Sequence, residues 1–150
     1  MKPLLLLLGT FLFSILYFLI FDKDIDYKYA GRISMCAMLL FTSIGHFVLK
    51  KGMENMVPER IPFKPHIVIA TGIFEILAGF ALLAPTYYKA AGWFLIAFFV
   101  LILPANVNAS IHHINYQNPE IPGPGLKYLW FRIPLQILFV AWIYFTAIKT

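Results

Sequence analysis

Five apolar runs, residues 3–21, 33–49, 67–85, 90–103 and 128–148, decide which solvent this chain can fold in. An α-helix rises 1.5 Å per residue, so about 20 apolar residues cross the ~30 Å hydrocarbon core of a bilayer. Four of the runs reach or nearly reach that length. The fourth run is short, and it reaches it by continuing through Asn106 or Asn108 where neighbouring helices shield those amides. Apolar residues make up 61% of the chain and charged residues 13%, against about 45–50% and about 25% in soluble domains. No soluble core of 150 residues hides that much apolar surface. The expectation is an all-α integral membrane protein with four or five transmembrane helices.

Composition also excludes partners and chemistries. The formal charge of +5 is confined to short segments between apolar runs, which suits anionic headgroups. Nucleic-acid binding needs a basic face or stripe, and the sequence has none. The single cysteine, Cys36, sits inside the second run, so no disulfide forms within the chain and a helix-packing role is expected. Gly-rich phosphate loops, nucleophile elbows and cysteine clusters are absent from the sequence.

The first run resembles a signal peptide in following Lys2. Its apolar region is longer than the usual ~7–15 residues, and it meets Asp22-Lys23-Asp24 without a small-x-small cleavage site. A retained helix is expected, with residues 1–29 forming an N-terminal transmembrane segment and loop, and residues 30–150 the main domain. Pro58, Pro62 and Pro65 make residues 50–66 a structured interfacial loop. Pro119, Pro122, Gly123, Pro124 and Gly125 mark the second break. Five spans place Lys2, Lys50, Lys51, Arg60, Lys64 and Lys127 on one side, and Lys23, Lys28, Arg32, Lys89 and Lys149 on the other. The positive-inside rule favours the first set facing the cytoplasm, by one residue.

The polar residues within the apolar runs carry the functional signal. His46 lies four residues inside the second run, roughly 6 Å deep, and Glu75 lies roughly 12 Å deep in the third. Arg132 and Gln136 lie roughly 6 and 12 Å into the fifth, sharing a helix face four residues apart. Asn106 and Asn108 mark where the fourth run leaves the membrane. Folding the spans back and forth puts all six toward the side of the two proline-rich loops. Thr71, Gly72, Ala78 and Gly79 surround Glu75 at helical spacing, so a neighbouring helix packs closely there and the carboxyl faces protein. A charge at a helix centre costs about 2.5–3.5 kcal/mol, and each large aliphatic or Phe residue returns only about 0.3–0.6 kcal/mol. Glu75 therefore needs a partner or a proton, and Arg132 is the expected partner. Buried ion pairs and amide hydrogen bonds also fix helix register without binding anything. The bland reading of His46 is a helix-end histidine bonded to a neighbour, and that of Asn106 and Asn108 is helix capping.

His66, His112 and His113 complete the histidines. Adjacent histidines point about 100° apart on a helix and do not make the i, i+4 chelate of zinc motifs, so no metal is assigned.

Gly45-His46-Phe47, Pro62-Phe63-Lys64-Pro65, Gly72-Ile73-Phe74-Glu75-Ile76-Leu77-Ala78-Gly79, Pro104-Ala105-Asn106 and Arg132-Ile133-Pro134-Leu135-Gln136 occur in this order over roughly the last 120 residues. That ordered set resembles the DoxX-like family of small membrane proteins. It is distantly similar to the nicotinic-receptor assembly factor NACHO through the Gly-x-x-Glu pattern of the third span. The resemblance implies a four-helix transmembrane bundle in the bacterial inner membrane, with an extra N-terminal helix in this chain. Some family members are subunits of quinone-linked oxidoreductases, which implies contact with quinone. The related vitamin K epoxide reductases depend on paired cysteines that this chain lacks, so their mechanism does not carry over.

The functional expectation is a polar pocket for a lipophilic molecule, a quinone or lipid, with His46, Glu75, Asn106, Asn108, Arg132 and Gln136 binding its head. Quinone is the one candidate cofactor, and no catalytic residue is assigned. The competing expectation is an assembly factor or accessory subunit whose polar cluster is structural, partnered by another membrane protein or by its own copies. A third is an enzyme using Glu75 as acid or base on an isoprenoid.

Overall fold

The computed structural model describes residues 2–21, 25–118 and 120–149, and no strand occurs among them. Asp22, Lys23, Asp24 and Pro119, used above, lie outside the described residues. The elements are α1 (Lys2–Phe21), α2 (Tyr27–Val48), α3 (Lys50–Met56), α4 (Lys64–Leu83), α5 (Tyr88–Leu101), α6 (Leu103–Ile111) and α7 (Lys127–Ile143). A π-helical turn, Tyr144–Ile148, continues α7. Five helical segments are long and apolar enough to cross a membrane, with α5 and α6 acting as one span, Tyr88–Ile111. The chain is an integral membrane protein by that measure.

Local chemistry sets the boundaries. Asp26 accepts a hydrogen bond from the Tyr29 backbone N–H at 2.9 Å and so caps α2. This starts the second span six residues earlier than its apolar run does, and draws Arg32 inside it. The segment read as one proline-rich loop holds a helix, α3, because its first proline is Pro58, after the helix has ended. Val57, immediately before it, is extended (φ −70°, ψ 127°), as a residue preceding proline prefers. Pro65 begins α4 in the first turn, where a missing N–H leaves nothing unpaired. Pro104 does the same for α6, but it deprives the turn before it of a donor, and the span breaks at Ile102. Pro134 lies inside α7.

α2 is the hub. It packs on α1 and most extensively on α4; α4 packs on α5, α5 on α7, and the π-turn returns to α2. α1 is seated on the outside through Leu7, which is fully buried, and through Phe11, whose ring meets Trp142 edge-on at 5.0 Å. Small residues make the α2–α4 contact close. A Cβ on Gly72 would stand 2.7 Å from the His46 Cβ, so only glycine fits there. Gly79 lies over buried Cys36, which is thereby a packing residue. In lipid such contacts are driven by van der Waals packing, since hydrocarbon is as apolar as leucine. The outward faces agree: Leu16, Phe13, Leu77, Phe94, Leu101 and Trp130 are all exposed. Water would penalise so continuous an apolar surface.

Candidate functional site

The polar side chains of the bundle form two sets. The first is a seam between α2 and α4. Thr42 and His46 sit four apart on one helix, Thr71 and Glu75 four apart on the other, so each helix presents a threonine and an ionisable group on one face. The helices run in opposite directions, which sets Thr42 against Glu75 and His46 against Thr71. The Thr42 hydroxyl lies 2.9 Å from Glu75 Oε2, and His46 Nε2 lies 3.5 Å from Oε1. His46 Nδ1 is 3.0 Å from both the Val68 carbonyl and the Thr71 hydroxyl, and that hydroxyl donates to the same carbonyl at 2.9 Å. Glu75 is only 5% exposed. Opposite unit charges about 4 Å apart attract by about 4 kcal/mol at an effective dielectric of about 20, enough to offset much of the cost of bringing them into the membrane.

Arg132 is therefore not the partner of Glu75, whose carboxyl is taken by His46 and Thr42. The expectation rested on depth along the membrane normal, with the long arginine stem spanning the offset between roughly 6 and 12 Å. Packing overrides it, because α4 faces α2 and α5 while α7 faces α5 and α6.

The second set is a ladder between α6 and α7. Arg132 Nε donates to Asn106 Oδ1 at 3.3 Å, and Asn106 Nδ2 donates to Gln136 Oε1 at 3.5 Å. Gln136 Nε2 in turn donates to the Phe99 carbonyl. Phe99 precedes Leu103 by four residues, across the break that Pro104 imposes, and the glutamine caps a carbonyl at that break. Asn106 and Gln136 are buried, whereas Arg132 is half-buried. Its guanidinium lies 5.8 Å from the centre of the Tyr128 ring. The Tyr128 hydroxyl is buried without a hydrogen-bond partner. Asn108 belongs to neither set; it donates to the Met56 carbonyl at 3.0 Å and ties α6 to the end of α3.

Both sets sit toward the end of the bundle that carries α3 and the connection from α6 to α7. A shallow groove of about 450 Å³ runs along α6 on a face away from Asn106, lined by Pro58, Leu103, Pro104 and Asn108 among others. Neither this groove nor the one beside Asp26 is lined by His46, Glu75, Asn106, Arg132 or Gln136. The remaining histidines are used locally: His112 Nδ1 meets the Asn108 carbonyl at 3.0 Å and His113 Nδ1 the Gly123 carbonyl at 3.4 Å. Among the described residues no three His, Cys, Asp or Glu side chains gather as a metal site.

The family described as "Domain of unknown function (DUF8561)" matches residues 35–147. The chain belongs to that family. The DUF8561 match includes every residue of both polar sets and leaves α1 outside. No curated protein and no solved structure matches the chain.

Three residues of interest were not singled out from sequence. Thr42 was readable, since it repeats the Thr–ionisable spacing of Thr71 and Glu75. Thr71 was read only as a small packing residue. Arg32 was read as a loop charge. Its guanidinium lies 4.2 Å from the centre of the Tyr88 ring at the opposite end of the bundle, and its Nε is buried without a hydrogen-bond partner.

Proposed function

We propose that this membrane protein is DoxX-like and holds a lipophilic molecule, a quinone or a lipid, by its polar head at the outer end of the α6–α7 ladder. The bacterial inner membrane is the proposed location. The observation that carries the reading is the way Arg132 is held. Asn106 fixes the guanidinium through Nε alone, while Gln136 and the Phe99 carbonyl hold Asn106 in register. The outer N–H groups of Arg132 remain as donors roughly 6 Å inside the span, where a cation without an acceptor is costly. A quinone carbonyl or a lipid phosphate is an acceptor of the right kind, and the neighbouring Tyr128 ring flanks the guanidinium. The preordered amides hold the donor in place, which lowers the ordering cost of binding.

The test is mass spectrometry of lipids and quinones extracted from protein purified out of native membranes in mild detergent. Wild-type protein is expected to carry an enriched acceptor-headed species, and Arg132→Ala is expected to lose it. Wild-type content in an Arg132→Ala protein with an unchanged melting profile would falsify the proposal.

One observation favours a second reading, an assembly factor or accessory subunit. The α2–α4 seam satisfies its own polar groups, as a purely architectural element does. That reading expects a stable complex with another membrane protein under gentle extraction, and Arg132→Ala leaving that complex intact.

A further inference from the structure

The hydrogen atoms of the α2–α4 seam can be counted from its contacts. The Val68 carbonyl only accepts, so His46 Nδ1, 3.0 Å away, carries a hydrogen. Thr71 turns its own hydrogen to that carbonyl and offers Nδ1 a lone pair. The tautomer is thereby fixed, and Nε2 is the nitrogen that faces Glu75. With no hydrogen between Nε2 and Oε1, a lone pair would face a carboxylate oxygen at 3.5 Å inside a buried seam. One hydrogen between them removes that repulsion and leaves the pair neutral as a unit. A second, on Oε2, would leave an imidazolium with no counter-charge. Thr42 has a single hydrogen, and in the neutral pair it goes to Oε2 at 2.9 Å rather than to the Leu39 carbonyl at 3.0 Å.

We propose that His46 and Glu75 form an intramembrane proton site that holds one proton, exchanged with the membrane face through His46. The two arrangements differ by one transfer. The Nε2–H bond breaks, an O–H bond forms on Oε1, and an imidazolium–carboxylate pair becomes a neutral imidazole and carboxylic acid. The geometry gives the roles. The His46 side chain is 15% exposed against 6% for Glu75, and it sits in the last turn of α2, nearer the membrane face. Glu75 is the store and His46 the relay.

Other charged groups on the packed elements are spent elsewhere. Lys50 and Glu54 of α3 neutralise each other at 3.9 Å, Lys51 is exposed, and Arg132 of α7 is bonded to Asn106. On α4 itself, Lys64 and His66 lie in the first turn; Lys89 of α5 is at the opposite end. None lies within 4.0 Å of the Glu75 carboxyl. This proposal is independent of ligand binding at Arg132, because it uses none of that residue's contacts.

The experiment uses the full chain in lipid nanodiscs, with ¹³C-labelled glutamate and ¹⁵N-labelled histidine. Infrared carboxyl bands and imidazole nitrogen shifts are assigned by difference from Glu75→Gln and His46→Gln. Near neutral pH the expected result is one proton for the pair, either a protonated carboxyl beside a neutral Nδ1–H imidazole or an imidazolium beside a carboxylate. An ionised carboxyl beside a neutral imidazole, or both groups protonated, overturns the proposal. In His46→Gln, Glu75 is expected to be protonated and to exchange its hydrogen for deuterium at least tenfold more slowly than the wild-type pair. An unchanged exchange rate removes His46 as the relay. If the variants do not fold, the wild-type proton count, assigned by labelling the single glutamate type against Glu54, Glu59 and Glu120 replaced by Gln, decides the matter alone.

Discussion

The seam and the ladder use similar side chains toward the same end of one bundle, and they solve opposite problems. In the seam, Gly72 and Gly79 bring α2 and α4 so close that four side chains and one carbonyl satisfy one another. In the ladder, the span breaks before Pro104, and the chain of amides that caps the Phe99 carbonyl near that break ends on a cation with donors to spare. Close packing closes a polar set, and a broken helix opens one. The seam therefore predicts effects on stability and protonation, and the ladder effects on ligand content.

The largest expected effect separates a broken pair from a neutral replacement in the seam. Glu75→Ala strands His46 Nε2 and the Thr42 hydroxyl in a buried site, and removal of one partner of a buried pair costs about 3–5 kcal/mol. Glu75→Gln keeps an acceptor for one neighbour and a donor for the other, and is expected to cost less than about 1 kcal/mol by comparison with ordinary hydrogen-bond changes. Unfolding in mixed micelles measures both. Equal losses would show that the seam is held by its glycines alone and that the comparison drawn above is wrong.

Next in size is the inner end of the ladder. Gln136→Leu removes the donor from the Phe99 carbonyl and the acceptor from Asn106, both buried. Leaving such groups unpaired costs about 1–3 kcal/mol. The same unfolding assay should place this variant between Glu75→Ala and Glu75→Gln. It should also lower ligand content, since Asn106 loses the contact that orients it toward Arg132.

How far these contrasts were readable in sequence depends on the direction of the information. Lipid demands about 20 apolar residues, so the spans were legible almost to the residue at Phe21, and Asn106 and Asn108 did prolong the fourth span to Ile111. The angle around each helix was not legible. Glu75 and Arg132 looked like partners along the membrane normal, and the packing order of the helices separated them. The paired Thr–ionisable spacing on α2 and α4 was the angular signal that would have matched His46 to Glu75. α3 was missed because the three prolines were read as one loop, although Lys50–Met56 contains none of them. Arg32 was missed because an apolar window ignores the aspartate cap that lengthens α2.

At the outer end of the ladder, stability and function should part. Arg132 is half-buried and makes one side-chain hydrogen bond, so Arg132→Ala strands only the Asn106 oxygen and should cost about 1 kcal/mol, the low end for an unpaired buried group. Its effect should instead be read in extracted quinone or lipid. Arg132→Lys sharpens the point: an ammonium keeps the charge but loses the planar fork that lets Nε hold Asn106 while the other nitrogens face outward. Ligand content in the lysine variant should fall between wild type and alanine. A lysine variant equal to wild type would mean that charge alone does the holding, and that the amide ladder behind it is architectural like the seam.

The smallest effect tests the seam at single-bond resolution. Thr42→Val keeps shape and removes one hydroxyl, and interhelical hydrogen bonds in bilayers average about 0.6 kcal/mol. A loss of that order is expected, with ligand content unchanged. The useful outcome lies in the combination with Glu75→Ala, which removes the acceptor altogether. If Thr42 donates to the carboxyl, as its 2.9 Å contact indicates, the two changes touch one bond and their costs do not add. Additive costs would place the hydroxyl hydrogen on the Leu39 carbonyl instead. That hydrogen would then be missing from Oε2, and the seam would need a further proton to close as the ladder needs a ligand, which would erase the difference between them.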